Sequence, residues 1–174
     1  MSIDQNMRSG DAYDLFIATP MSALGEAKYA AGRAGIISLM EQLTSAHDFG
    51  RMYFAGETIT EAEAFTGEAD ALRRDLQALR SSRLFVLVYP YKIVTSALVE
   101  AGYALALRLP SLLLVRERND LPFLLHSAQR MRGDQLLPTI WIETFGELPE
   151  VARKIAEFRD RVAVGEHTDG KGQG

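Results

Sequence analysis

The chain contains no cysteine. That excludes disulfides, thiolate metal sites and a cysteine nucleophile. No apolar run approaches the roughly 20 residues that a bilayer-spanning helix needs, so no membrane partner is expected. There is no excess of positive charge: 19 Lys and Arg against 23 Asp and Glu leave a formal net charge of −4. A general nucleic-acid binder needs a basic face to displace counterions, so nucleic acid is not an expected partner either. Arg73, Arg74, Arg80 and Arg83 cluster in sequence, but read as the solvated side of a helix. His47, His126 and His167 are dispersed and no pair has ligand spacing on one helix, so no metal is expected. Walker A, G-x-G-x-x-G and G-x-S-x-G motifs are missing. Their absence removes the commonest phosphate-loop, dinucleotide and serine-hydrolase readings.

What is present describes an ordinary globular domain. A length of 174 residues suits one compact unit. Hydrophobic residues at 47% and charged residues at 24% are typical of soluble chains. The start, "MSIDQNMRSGDA", is polar and lacks the apolar core of a signal peptide, which makes the cytoplasm the expected compartment. Residues 1–12 read as a flexible lead-in, 13–164 as a single domain and 165–174, "GEHTDGKGQG", as a disordered tail.

Within the domain, strand and helix signals alternate. Strands are expected at 13–19, 51–55, 84–89, 111–115 and 139–143. Helices are expected at 22–43, 68–80, 95–108, near 120–130 and at 147–163. In the first helix Ala27, Ala30, Ala31, Ala34, Ile37 and Met40 recur at steps of three and four, although Gly32 and Gly35 weaken the pattern. In the second, Leu72, Leu76 and Leu79 share one face, with Arg73, Arg74, Asp75 and Arg80 opposite. Residues 56–67 read as a loop. The continuous apolar run "LFVLVY" fits a parallel strand covered on both faces. The expected fold is therefore α/β: a flavodoxin-like three-layer sandwich around a five-stranded parallel sheet of order 2-1-3-4-5.

Ligands in such sheets sit beyond the carboxyl ends of the strands, at the switch point between strands 1 and 3. That rule brings together Thr19, Pro20, Met21 and Ser22 with the segment from Tyr89 to Ser96. Glu100 follows on the next helix. It is the only charged residue in "SALVEAGYALAL", residues 96–107. Ser96 lies four residues before it, on the same helix face, and Tyr103 three beyond. An acid in an apolar frame has its pKa raised by burial and can act as a nucleophile or as a stabiliser of a sugar cation. A plainer role is open on spacing alone: an acid near a helix start, favoured by the dipole, with Thr95 or Ser96 as N-cap. Asp75, among arginines, reads as a surface ion-pair partner. Tyr89 and Tyr91 flank Pro90 at the sheet edge, where they could stack on a base.

The stretch "YDLFIAT", followed by "GETITEAEAFTGEADALRRDLQALRSSRLFVLVYPYKIVTSALVEAGYALAL", resembles a TIR domain. It is also similar to nucleoside 2-deoxyribosyltransferases, which carry a "D-L-x-x-I" helix, an apolar strand and "E-x-G-Y-A-x-A-L" followed by proline and another strand. Here those features are Asp75-Leu76, residues 84–89, Glu100 to Leu107, and Pro110. The resemblance implies cleavage of an N-glycosidic bond to a ribose, with Glu100 as the catalytic glutamate that stabilises or traps the oxocarbenium-like sugar once the base departs. Ser96 and Tyr89 would line the ribose pocket with Tyr103 nearby, and Thr19, Pro20 and Met21 would meet the base or phosphates. Deoxyribosyltransferases carry an Asp and a Gly-Thr pair before the glutamate, where this chain has Val94 and Ser96-Ala97. The resemblance to TIR domains therefore implies NAD+ as substrate, with no separate cofactor, and loss of nicotinamide to give ADP-ribose or a cyclised or conjugated form. It further implies a homo-oligomer and a nucleotide signal for a downstream effector in antiphage defence. Base exchange on deoxynucleosides, or a non-catalytic nucleotide-binding or assembly module, are the alternatives.

Overall fold

Side chains alternate across a strand, so a strand with helices on both faces is apolar at every position. A computed structural model describes residues 12–21, 24–57, 68–128 and 140–169 and shows this arrangement. Strands β1 (Tyr13–Ala18), β2 (Met52–Tyr53), β3 (Ser82–Tyr89), β4 (Ser111–Val115) and β5 (Ile140–Thr144) form one sheet. All pairings are parallel and the order is β2-β1-β3-β4-β5, as expected. The register sets Phe16 beside Phe85 and Val86 beside Leu112. Leu15, Ile17, Leu84, Val86, Val88, Leu112 and Leu114 point to one face. Phe16, Ala18, Phe85, Leu87, Tyr89, Leu113 and Val115 point to the other.

Helices α1 (Glu26–His47) and α5 (Leu148–Asp169) cover the first face. Helices α2 (Glu68–Arg80), α3 (Ser96–Ala106) and α4 (Phe123–Ala128) cover the second. On α3 the buried residues are Ala97, Ala101 and Ala104, and these small side chains let its backbone lie close to the sheet.

Several expectations are corrected. The α1 alanines 27, 30, 31 and 34 face solvent, and the buried positions are Tyr29, Ile36, Leu39 and Leu43. Burial follows apolar area, and a large side chain gains far more than a methyl group. Strand β2 keeps two residues, because a 3₁₀ turn at Ala55–Glu57 ends it. Helix α5 continues to Asp169, into the segment expected to be disordered, while residues 170–174 lie outside the described residues, as do 1–11. Ser22 and most of the 56–67 loop, from 58 on, also lie outside them. Leu72 is exposed at 52%, so the inward face of α2 is rotated from the leucine stripe toward Asp75, Ala78 and Leu79.

Two glycines, one inside α1 and one in the turn after β2, should respond oppositely to alanine. A Cβ on Gly32, inside α1, would meet nothing within 4 Å. Gly32→Ala should therefore raise unfolding stability by about 1 kcal/mol, from helix propensity. A Cβ on Gly56 would lie 2.4 Å from Phe54 and 3.0 Å from Met21. Gly56→Ala should cost about 1–3 kcal/mol by overpacking. Urea melts of both variants check the pair.

Candidate active site

Helix α3 begins at Ser96, which puts Glu100 in its second turn, and no acidic residue occupies the first. Dipole effects fade beyond the first turn, so the plainer reading of Glu100 loses its footing. Thr95 is the N-cap by backbone geometry, but its hydroxyl makes no cap bond and is buried without a partner. Glu100 keeps some contact with solvent, yet protein surrounds most of its carboxyl. Its pKa is raised to about 8, first by desolvation and then by the negative charge of Asp75.

Asp75 stands on α2, half-buried, and its Oδ1 accepts a hydrogen bond of 2.7 Å from the Tyr53 hydroxyl. Burial raises the Asp75 pKa, while the Tyr53 bond and the Arg74 charge oppose that rise. The Tyr53 pKa is also raised, chiefly by burial and then by its bond to Asp75. The Tyr53 ring stacks on Phe16 at 5.0 Å and meets Tyr13 edge-on at 5.4 Å. Three elements, β2, α2 and α3, thus bring a phenol and two carboxyl groups into one electrostatic unit.

This corrects the reading of Asp75 as a surface ion-pair partner. The signal lay in the spacing: position 75 is three before Ala78 and four before Leu79, the buried positions of α2. Tyr53 gave no such signal, because a tyrosine in a short edge strand has many ordinary uses.

The other expected site residues divide. Thr19, half-buried, follows β1 at the carboxyl edge of the sheet. Pro20 is buried, and Met21, 7% exposed, packs into the core with Phe54, so neither offers a free side chain there. Ser96 is exposed at the start of α3. Tyr89 is only 2% exposed, and its hydroxyl donates to the Ile93 carbonyl and accepts from the Ile93 N–H at 3.0 Å. It closes its own loop instead of lining a ribose pocket. Tyr103 accepts a 2.9 Å bond from Arg80 Nε at the far end of α2. That contact engages its hydroxyl in the α2–α3 seam. Tyr91 takes Lys28 over its ring at 5.3 Å, which links the start of α1 to the loop before α3.

A cavity of about 610 Å³ lies at the opposite, amino edge of the sheet, lined by Asp14, Asp48, Phe49, Arg83 and Arg159. Its charges are largely satisfied within the protein: Arg83 reaches Asp14 at 3.7 Å, and Arg159 pairs with Asp160 and the His47 carbonyl. The perturbed carboxyl pair is elsewhere, and perturbed pKa values of this kind cluster at functional sites. Among the described residues, no helix is long and apolar enough to cross a membrane.

No protein-family model matches the chain, and no curated protein matches it in sequence. A solved structure of a CMP N-glycosidase from Clostridium botulinum is similar, with a TM-score of 0.55. It is 17% identical in sequence, and the match covers 83% of this chain and 98% of that one. Likeness at that identity shows the fold alone, the flavodoxin-like arrangement of a five-stranded parallel sheet between helices. The resemblance to TIR domains receives no support from these matches.

The Glu100 carboxyl should make stability depend on pH in a set direction. Its pKa is raised in the folded chain from 4.5 to about 8, so the folded state holds a proton that the unfolded chain has released. The associated stability is complete below about pH 4.5 and is lost as pH rises through about 8. Glu100→Gln removes that loss. Its melting temperature should match that of the parent near about pH 5 and exceed it by several degrees near about pH 9. Calorimetric scans at the two pH values read the difference.

Proposed function

We propose that the chain cleaves the N-glycosidic bond of a nucleotide at Glu100, with Asp75 as its charged partner. The observation that carries this reading is the carboxyl pair itself, with Glu100 raised to about 8 beside Asp75 in a partly enclosed site. Breaking a glycosidic bond calls for an acid to protonate the leaving group and an anion to stabilise the sugar cation. Two coupled carboxyls that share one proton supply both. As the C1′–N bond breaks, its electron pair goes to the base nitrogen. The pair's proton passes to the base when the base would otherwise leave as an anion. Water then adds to C1′ and returns a proton to the pair. The fold shared with a CMP N-glycosidase supports this class of reaction.

On substrate, the first reading is NAD+, giving nicotinamide and ADP-ribose or a cyclised or conjugated ADP-ribose. It rests on the resemblance and on Val94, Ser96 and Ala97, which depart from the deoxyribosyltransferase pattern. The second is a nucleoside monophosphate, favoured by the structural neighbour. Under the first reading, action as a homo-oligomer that feeds a nucleotide signal to a defence effector is part of the same proposal.

Chromatography of NAD+ and CMP incubations separates the two. Nicotinamide release supports the first, cytosine release the second, and release of neither base overturns both. Glu100→Gln should lower the observed rate by at least about 10²-fold, the scale of losing one transition-state electrostatic partner. The pH profile of kcat/KM should also distinguish them, since it reports the free enzyme. Nicotinamide leaves uncharged and needs no proton, so NAD+ cleavage requires ionised Glu100 and should rise with pH to a plateau above about 8. Cytosine needs a proton to leave, so CMP cleavage should fall as pH passes the same value.

A further inference from the structure

Release of a base that would otherwise leave as an anion needs one carboxyl protonated and one ionised, and the resting protein must decide which is which. Two acids in the same crevice compete for one proton, and the winner is set by the groups around each. Around Asp75 stand the Tyr53 hydroxyl from β2 and Arg74 from its own helix. Tyr13 of β1 touches the far edge of the Tyr53 ring. Across the seam, Tyr103 of α3 is engaged with Arg80. Of the charged groups the structure sets against Glu100, the one that acts on it is Asp75. A hydroxyl that donates to a carboxyl favours the ionised form, and among the described residues no such donor acts on Glu100. The asymmetry is therefore local to one hydrogen bond.

We propose that Tyr53 is the positioning residue of the carboxyl pair: its hydroxyl holds Asp75 as the ionised member, so that Glu100 carries the shared proton. The geometry suits this task. Donation to Oδ1 at 2.7 Å fixes one oxygen of Asp75 and with it the rotation of the carboxylate. The phenol cannot easily swing away, because its ring is stacked on Phe16, which in turn stacks on Phe85 of the central strand at 5.9 Å. The orientation of the donor is thus tied to the sheet core. Arg74 acts in the same direction but is exposed, where solvent screens its charge. Tyr53 need not touch a substrate; it acts through Asp75.

The inference concerns the resting protein, and it rests on the proposed function only for its catalytic meaning. Its test needs no substrate, so a failure to find activity and a failure of this assignment are separate results. Side-chain carboxyl carbons of Asp and Glu, labelled with carbon-13, are titrated by NMR in the parent chain and in Tyr53→Phe, which keeps the ring stack and removes the donor. In the parent, Asp75 should report the lower step and Glu100 the upper one, near about 8. In Tyr53→Phe the lower step should rise by about one pH unit, and Asp75 should take a visible share of the upper step. Unchanged Asp75 curves in the variant would overturn the proposal, as would a parent in which Glu100 reports the lower step. If Tyr53→Phe does not fold, Asp75→Asn serves. Glu100 should then titrate once, about one unit or more below the parent value, and a midpoint that stays near the parent's would equally sink the idea. A tyrosine that merely filled space would leave the Tyr53→Phe curves in place.

Discussion

Burial of two carboxyl groups on neighbouring helices sets the electrostatics of the candidate site, with the Asp75 charge adding to the desolvation of Glu100. Asp75 and Glu100 belong to neighbouring helices, and each would lose less free energy alone in water. They are held together because α2 and α3 must both bury apolar faces on the same side of the sheet. Ala97, Ala101 and Ala104 bring α3 close, while Ala78 and Leu79 seat α2. The hydrophobic core thus maintains an electrostatic arrangement that would not form unaided. Strained electrostatics of this kind mark working sites more often than structural ones.

The sheet was legible in the sequence because its signal is coarse. Five apolar runs, punctuated by Pro20, Pro90 and Pro110, announce strands whatever their partners, and crossover handedness then leaves few orders to choose from. Helix faces were harder. In α1 a ladder of alanines fits helical periodicity, yet alanine has little to gain by burial, and Tyr29, Ile36, Leu39 and Leu43 won the inward positions. In α2 the charged neighbours of Asp75 masked its place on the buried stripe.

The site followed the same division. Glu100 stood out because an isolated charge in an apolar stretch is rare, and its neighbourhood in sequence is also its neighbourhood in space. Asp75 and Tyr53 reach it only through tertiary packing, which no local window contains. Tyr89 and Tyr103 were adjacent in sequence and chemically plausible, but their hydroxyls are engaged by Ile93 and Arg80. Which tyrosines remain available is decided by competing internal partners, and those are long-range facts.

The Tyr89 contact has a consequence for affinity. The last side chain of the central strand ties down the loop that leads into α3, through both the N–H and the carbonyl of Ile93. A small molecule arriving at that rim meets backbone already ordered by its own strand. Little of the energy of any association there would be spent on freezing the loop.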